Sequence, residues 1–264
     1  SHPEAMVMKG HSWKSTQFPA IVGLLMHPSK GYLLFDTGYA KRFMDETQRF
    51  PDICYRWLTP VSLCDKEGLI HQLQQLNIDA SDIYGIFISH FHADHIAGLL
   101  DFPRAQFICS RFAVETLLSL GRFSGLLKGY LPKLLPEDFI TRCRFIEETT
   151  SLKLDNRYRP FEQGYDIFND GSLMAISLPG HASGQYGLLI ESDGQSRFLI
   201  GDASWTCEAY QQNARPNLLT HLIMDNGKQY LETLDKLSRV YQANNELQIL
   251  QSQCLRTFEN FQSS

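Results

Sequence analysis

Residues 90–95 read His-Phe-His-Ala-Asp-His and follow directly on the apolar run 83–89. Neutral imidazoles and carboxylates are the ligands that zinc, iron and manganese accept. A strand that ends in such a cluster brings several of these ligands to one point at the edge of a sheet. The hexapeptide therefore predicts a metal site, and its spacing disfavours the alternative of an ordinary polar loop.

Two further polar residues stand in turns that follow apolar runs. Residues 178–184 place His181 in a Pro-Gly-His turn, and residues 198–203 place Asp202 at the end of a strand. A single histidine or aspartate of this kind is usually structural. Their position downstream of the hexapeptide, each at a strand end, makes both of them candidate metal ligands.

Composition limits the class of protein. The chain has 264 residues, 43% hydrophobic and 20% charged, which is enough apolar material for one sizeable core, and we predict a single domain over 1–264. The 24 basic and 29 acidic residues form no basic stripe, which excludes nucleic acid as an expected partner. The six cysteines are scattered, as free thiols in a reducing compartment would be. No membrane span or signal peptide is visible, so we predict a cytoplasmic protein.

Hydrophobic periodicity predicts an α/β chain. Strands are predicted at 19–27, 32–36, 83–89, 106–109, 173–178, 186–191, 197–200 and 247–250, and helices at 65–76, 95–100, 228–243 and 255–262. The strands come in two batches, each followed by helices. This order predicts two α/β halves packed sheet to sheet, with helices on the outside.

Two apolar segments lack a clear strand or helix pattern. Residues 39–62 are predicted to form an aromatic loop, and residues 112–136, interrupted by glycine and proline, two short helices. The second segment is either ordinary core or a helical lid over the site, since loops and small insertions often carry substrate contacts. The apolar side chains of both segments predict a small-molecule acyl substrate with an apolar tail. The alternative is a homodimer face at 43–58, because exposed aromatic side chains also form interfaces.

Taken in order, these motifs resemble those of the metallo-β-lactamase-fold hydrolases. The hexapeptide carries the resemblance, together with His181 in Pro-Gly-His and Asp202 in Gly-Asp-Ala-Ser. Asp36-Thr37-Gly38 matches the family's early Asp-x-Gly turn. The resemblance implies an αβ/βα four-layer sandwich of two mixed β-sheets with helices on the outer faces.

The resemblance also implies a ligand set. The implied metal ligands are His90, His92, Asp94, His95, His181 and Asp202. His90, His92 and His181 would hold one metal. Asp94 and His95 would hold a second, with Asp202 bridging the two. The implied cofactor is zinc, one or two ions per chain, and the same donors accept iron or manganese.

Within the family, the chain looks most like the N-acyl homoserine lactonase branch, whose substrates serve quorum sensing. The segments that carry this likeness are 36–39, 56–60, 201–204 and 220–225. The branch implies attack of metal-activated water on the carbonyl of a lactone, or of a related acyl ester or thioester. Asp94 would act as general acid, and the Trp205 N–H would stabilise the oxyanion.

Two positions depart from the family pattern. The family has one more ligand histidine after the last strand, and here Gln253 stands at the expected position, with Cys254 beside it as a possible thiolate ligand. An amide oxygen is a poor donor to a transition metal. Trp205 stands where the lactonase branch often has a tyrosine, so the hydroxyl is lost and an N–H kept. His221, which follows Asp202, is a weaker additional ligand candidate.

Three functions are compatible with these residues. The favoured hypothesis is a lactone, ester or thioester hydrolase, for which His92→Ala should abolish turnover. The second, motivated by Gln253 and Trp205, is a non-hydrolytic binding or regulatory protein that keeps the fold with a degraded metal site. A di-iron redox enzyme ranks last, together with a nuclease, because the fold hosts many chemistries but the chain offers no room for their added domains.

Overall fold

The structure is a computed structural model that describes residues 2–3, 15–16, 18–192, 194–212 and 224–262. The chain divides into two compact units. Unit 1 comprises Ser1–Ile21, Ser110–Phe112 and Ile146–Ser264, and unit 2 comprises Val22–Cys109 and Ala113–Phe145. The single domain over 1–264 stays a prediction.

The strands are short and alternate with helices along most of the described chain. They are β1 (His2–Pro3), β2 (Ser15–Thr16), β3 (Gly23–His27), β4 (Gly31–Phe35), β5 (Ile83–Phe87), β6 (Gln106–Cys109), β7 (Cys143–Phe145), β8 (Thr150–Lys153), β9 (Gln163–Asp166), β10 (Leu173–Ser177), β11 (Tyr186–Ser192), β12 (Gln195–Gly201) and β13 (Leu247–Gln251). The α-helices are α1 (Lys41–Glu46), α2 (Ile53–Leu58), α3 (Leu69–Gln75), α4 (Ala93–Ile96), α5 (Arg111–Leu118), α6 (Arg122–Leu127), α7 (Cys207–Gln211), α8 (Gly227–Ala243) and α9 (Leu255–Gln262).

Unit 2 contains a mixed five-stranded sheet in the order β3-β4-β5-β6-β7. The hairpin β3–β4 is antiparallel, and β4, β5, β6 and β7 run parallel. Strand β5 is central and mostly buried, which explains why its sequence is a continuous apolar run rather than an alternating one. Fully buried Leu34, Phe43, Ile86 and Phe107 belong to the core of this unit.

Unit 1 contains a mixed six-stranded sheet in the order β13-β12-β11-β10-β9-β8. From β8 to β12, each strand pairs antiparallel with the next one. The edge strand β13 pairs parallel with β12. Helix α8 buries Leu234, Leu237 and Val240 against this unit's core, as its apolar spacing predicts. The short pair β1–β2 is a separate two-stranded ladder.

The predicted elements are largely confirmed, with corrections at their ends. Strand β6 and helix α9 have the predicted bounds, whereas the strand predicted at 19–27 begins only at Gly23 and the one predicted at 83–89 ends at Phe87. The helix predicted at 65–76 is divided at Gly68 into a 3-10 turn and α3. The helix predicted at 95–100 is wrong as a single element: α4 ends at Ile96, and a separate 3-10 turn covers Leu99–Asp101.

Two predictions about the apolar segments were also tested. Residues 39–62 are not simply a loop, because α1 and α2 lie within them; neither helix is long enough to give a clear period. Residues 112–136 do contain two short helices, α5 and α6, as predicted.

All six cysteines are free thiols. Among the described residues, no helix combines the length and hydrophobicity that crossing a bilayer requires.

Candidate metal centre

The carboxyl ends of two parallel strands position the donors of unit 2. Phe35 of β4 and Phe87 of β5 are paired in register, and the Asp36 N–H donates to the Phe87 carbonyl at 2.8 Å. Asp36 then leaves the strand with φ of 61°, a left-handed conformation that aspartate tolerates better than most residues. The Asp36 turn and the segment that starts at Ser89 therefore lie at the same edge of the sheet.

A buried hydrogen-bond network joins Asp36 to the histidine cluster. Asp36 Oδ1 accepts from the Ser89 N–H at 2.8 Å, and Oδ2 accepts from the Ser89 hydroxyl at 2.8 Å. The same Oδ2 lies 2.7 Å from Nδ1 of His95. The Thr37 hydroxyl donates to the His95 carbonyl at 2.9 Å. Both the ring and the backbone of His95 are thus fixed by the turn that ends β4.

This network also determines which ring nitrogens carry protons. A carboxylate only accepts, so Nδ1 of His95 donates to Asp36, and in the neutral ring Nε2 keeps its lone pair. The Ser89 hydroxyl gives its proton to Asp36, so its oxygen, 3.0 Å from Nδ1 of His90, accepts from that ring. Nε2 of His90 therefore also presents a lone pair.

His90 and His92 present nitrogen atoms to one point. Nε2 of His90 lies 3.1 Å from Nδ1 of His92, and the rings are tilted by 78°. Two nitrogen ligands at the usual zinc distance in a tetrahedral site lie roughly 3.3 Å apart. The pair is therefore spaced as two ligands of one metal ion.

Asp94 lies in the first turn of α4, for which His92 is the N-cap. Its Oδ2 lies 3.5 Å from Nε2 of His95, and its side chain is 12% exposed. In the metal-free protein burial raises the pKa of Asp94, but protonated His95, through its charge and hydrogen bond, and the charge of His92 lower it below its ordinary value. Asp94 is therefore held as a carboxylate, the form that binds a cation.

The turn after α6 packs against His92. Gly129 has φ of +72°, and a Cβ atom placed on it would lie 2.7 Å from Cδ2 of the His92 ring. Glycine is required here both by the backbone conformation and by this close approach. The segment 112–136 therefore does reach one of the predicted ligands, while Leu131 and Leu134, also within it, are buried in the core.

Within unit 1, a tight loop places His181. Gly180 has φ of +130°, and a Cβ atom on it would lie 2.1 Å from the backbone nitrogen of Tyr230. The Asn226 N–H donates to the Gly180 carbonyl at 2.9 Å, and the Asp225 N–H donates to the His181 carbonyl at 3.1 Å. The loop after β10 is thus seated on the beginning of α8.

The His181 ring is buried and has a neighbour on each side. Its Nδ1 lies 3.3 Å from the sulfur of Met224, and Trp205 packs edge-on at 5.5 Å between ring centroids. Because a thioether accepts but cannot donate, the contact with Met224 favours the tautomer with the proton on Nδ1 and the lone pair on Nε2. Nε2 lies 3.4 Å from Oδ2 of Asp202.

The parallel strands β12 and β13 bring Asp202 and Gln253 together. Gly201 pairs with Gln251 at the strand ends, and the Ser252 N–H donates to the Gly201 carbonyl at 3.3 Å. Asp202 and Gln253 follow directly, and the Gln253 amide donates to Oδ2 of Asp202 at 2.8 Å. The Trp205 indole N–H donates to the same oxygen at 3.1 Å.

The structure places the predicted residues in two groups. Unit 2 brings together His90, His92, Asp94 and His95, and unit 1 brings together His181, Asp202, Trp205 and Gln253. The indole N–H of Trp205 donates to Asp202. Its predicted role of stabilising an oxyanion stays a prediction. Cys254 faces Cys207, with their sulfur atoms 3.0 Å apart. His221 lies outside the described residues.

Three functional side chains were missed by sequence reasoning. Each of them holds Nδ1 of a predicted ligand histidine, and the pairs are Asp36–His95, Ser89–His90 and Met224–His181. Partners of this kind orient metal-binding imidazoles and are part of most metal sites. Asp36 could have been found from its place at the end of a strand neighbouring β5. The donor chemistry within each unit fits a metal ion such as zinc.

The family assignment agrees with this chemistry. The family model described as the metallo-beta-lactamase superfamily matches residues 21–240. The chain belongs to the metallo-beta-lactamase superfamily. Members of this superfamily typically bind metal, often zinc. The predicted fold class, α/β with two mixed sheets and helices, is therefore confirmed.

Relatives of known activity lie within the same superfamily. The chain is 28% identical over 210 residues to the N-acyl homoserine lactonase AttM of Azorhizobium caulinodans, which covers 78% of this chain and 73% of the relative. It is 25% identical to the N-acyl homoserine lactonase AiiB of Rhizobium rhizogenes, over 72% of this chain and 65% of the relative. These relatives are hydrolases.

Solved structures of the superfamily extend the likeness in fold. A Bacillus thuringiensis AiiA mutant with N-decanoyl-L-homoserine bound matches with a TM-score of 0.71 and 17% identity, over 98% of this chain and 91% of that one. The dizinc quorum-quenching lactonase AidC matches with a TM-score of 0.59 and 16% identity, over 88% of this chain and 71% of that one. At this identity the likeness shows the fold alone.

Proposed function

We propose that this protein is a metal-dependent hydrolase that opens a lactone ring, or cleaves a related acyl ester or thioester. The observation that carries the proposal is the orientation of three imidazoles. Nδ1 of His90, His95 and His181 each lies against a side-chain partner, which leaves Nε2 of each ring as the donor. The lactonase activity of AttM and AiiB, both relatives of this chain, supports the choice of substrate class.

His90, His92 and His181 would hold a metal, and Asp94, His95 and Asp202 would supply further donors. When bound, the metal would polarise the carbonyl under attack and activate water at neutral pH. We propose zinc because the donors are imidazole and carboxylate, and the same set accepts iron or manganese.

Asp94 would carry the proton to the leaving group. Its pKa lies below its ordinary value because the charge and hydrogen bond of His95 outweigh the effect of burial. It is therefore a carboxylate that can take a proton from attacking water and pass it to the alkoxide or thiolate. Its 12% exposed side chain leaves it within reach of a bound substrate.

An apolar acyl tail would lie on the side chains of 39–62 and 112–136. Phe50 and Phe123, from the two segments, have ring centroids 6.4 Å apart, and Asp52 pairs with Arg122 at 2.9 Å. The two apolar segments thus contact each other within unit 2. Gly129 brings the second of them against His92. The alternative use of this face, in a homodimer, is a separate proposal that solution mass measurement would test.

The test is hydrolysis of N-acyl homoserine lactones by the zinc-loaded protein, followed by proton release, with short, hexanoyl and decanoyl chains. We expect turnover that rises with chain length, because a longer tail buries more apolar surface. His92→Ala should abolish turnover. His71→Ala is the matched control, since His71 lies on α3 and its ring contacts Gln75 at 3.4 Å.

Equal rates across chain lengths would contradict the apolar tail surface. No turnover of lactones, esters or thioesters by metal-loaded protein would contradict the hydrolase.

One observation favours a second function. Gln253 stands where a ligand histidine is expected, and its amide donates to Asp202 instead of offering a strong metal donor. This favours a non-hydrolytic binding or regulatory protein that retains the fold. Such a protein would bind an acyl lactone without cleaving it, and binding would survive chelation of the metal. A cytoplasmic location and a role in quorum sensing stay predictions.

A further inference from the structure

One carboxylate oxygen of Asp202 receives two hydrogen bonds. The Gln253 Nε2 amide donates to Oδ2 at 2.8 Å, and the Trp205 Nε1 indole donates to the same atom at 3.1 Å. Both donors stand at the positions where the sequence departs from the family pattern. Asp202 itself is 2% exposed; its bond from Trp205 is buried, and its bond from Gln253 is half-buried.

The two donors are held by the surrounding structure. Gln253 follows β13, whose end is fixed beside β12 by the Ser252 N–H bond to the Gly201 carbonyl. Trp205 packs edge-on against His181 with centroids 5.5 Å apart, and its side chain is 9% exposed. Trp205 cannot swing away into solvent without losing its packing against His181, and the Gln253 side chain is half-buried beside Asp202.

A carboxylate oxygen has two lone-pair sites. Two N–H donors at these distances occupy both of them on Oδ2. A carboxylate bridges two metals through both oxygens or through one. With Oδ2 occupied, Asp202 has only Oδ1 left for a metal, and Oδ2 can serve a metal only after losing hydrogen bonds, among them the one from the buried Trp205 indole. Leaving a buried N–H without an acceptor costs about 1–3 kcal/mol.

We propose that the amide of Gln253 and the indole of Trp205 replace a second metal ion beside Asp202, so that this protein binds one metal per chain. The proposal rests on the metal site of the proposed function and names its stoichiometry. A ligand histidine at position 253 would offer a nitrogen lone pair to a metal. Gln253 offers an N–H to Asp202 instead. The partial positive charge of two N–H groups takes the place of a cation next to the carboxylate.

The experiment is the metal content of zinc-loaded, desalted protein, measured by elemental mass spectrometry and normalised to protein by amino-acid analysis. We expect one zinc per wild-type chain. Gln253→His restores a ligand and removes a donor, and we expect it to raise the content toward two per chain. Gln248→His is the matched control, because it adds a histidine at an exposed position of β13, the strand that precedes Gln253, and should leave the content at one.

A second variant keeps the proposal testable if Gln253→His fails to fold. Trp205→Phe keeps an aromatic ring, although a smaller one, and lacks the N–H, so Oδ2 accepts one bond fewer. We expect a weakly held second zinc, visible in calorimetric titration as a further binding step absent from wild type. Two tightly bound zinc ions per wild-type chain, or none, would overturn the proposal. A content of one zinc ion per chain in both variants, each shown to be folded, would also overturn it.

These outcomes are separate from the fate of the proposed function. One zinc per wild-type chain without hydrolysis of any acyl substrate would retain this inference and remove the hydrolase. Two zinc ions per wild-type chain with hydrolysis of an acyl substrate would overturn this inference and retain the hydrolase.

Discussion

Oδ2 of Asp36 lies 2.7 Å from Nδ1 of His95, and the two side chains are 1% and 2% exposed. The same carboxylate binds the backbone and hydroxyl of Ser89. Asp36 therefore sets the tautomer of His95 directly and that of His90 through Ser89. One buried carboxylate at the end of β4 orients two of the predicted ligands.

Replacing this carboxylate by an amide should weaken metal binding. Asp36→Asn keeps a side chain that tolerates the left-handed φ. With its amide oxygen on the Ser89 N–H, an NH2 group replaces Oδ2, the acceptor of Nδ1–H of His95. We expect zinc affinity to fall about 10–100-fold with the fold retained. Competition with a chromophoric chelator measures the affinity. Asp52→Asn, which removes a carboxylate paired with Arg122 in the same unit, is the control. Equal affinity in Asp36→Asn and wild type would mean that His95 is not oriented by this contact.

The Gly129 turn should be intolerant of any side chain. Gly129→Ala forces φ of +72° on an L-residue and directs a Cβ atom to within 2.7 Å of the His92 ring. The conformation alone costs about 1–2 kcal/mol. We expect a lower denaturation midpoint and weaker zinc binding, because the His92 ring must move.

Gly121→Ala is the matched control for that change. Gly121 precedes α6, its φ is −68°, and a Cβ atom on it meets nothing within 4 Å. Chemical denaturation of both variants, with and without zinc, separates the two effects. If Gly129→Ala bound zinc as wild type does, the turn would not be holding His92.

The metal-free protein should lose stability in acid through Asp94. Its pKa in the folded state lies below the ordinary value of 3.8. A carboxyl group with a lowered folded-state pKa stabilises the protein above its unfolded pKa, and this contribution is lost as the pH falls through the folded value. We expect the urea midpoint of wild type to drop between about pH 5 and about pH 3, and the drop to be smaller in Asp94→Asn. Parallel pH profiles for the two proteins would count against the assigned shift.

Cys207 and Cys254 should form a disulfide on mild oxidation. Their sulfur atoms lie 3.0 Å apart, and a small movement reaches the bonded distance of about 2.05 Å. The hydrogen bond from Cys207 lowers the pKa of the Cys254 thiol, although burial raises it. This favours the thiolate, the form that attacks when a disulfide forms.

Hydrogen peroxide would take up the two electrons: two thiols and one peroxide give one disulfide and two waters. Non-reducing peptide mapping should find Cys207 linked to Cys254, and Cys207→Ser should remove the link. Cys64→Ser, at an exposed free thiol, should leave it in place. Detection of both thiols by alkylation after peroxide treatment would contradict the prediction.

Local patterns predicted the elements wherever the period was long enough to read. Helix α9 and strand β6 have the predicted bounds because both have a continuous pattern between clear ends. Helices α1 and α2 were missed, since six residues each give fewer than two turns of apolar spacing. Strands β8 and β9 were not predicted, and β8 is exposed along its whole length, which removes the apolar signal.

The sequence by itself determined the identity and order of the predicted ligands, His90 to His95, then His181, then Asp202, because donor type and strand-end position are local properties. The tertiary structure decided what surrounds them. Asp36 reaches His95 across 59 residues and Gln253 reaches Asp202 across 51. Such contacts depend on which strands lie side by side and run parallel, and no period along the chain records that pairing.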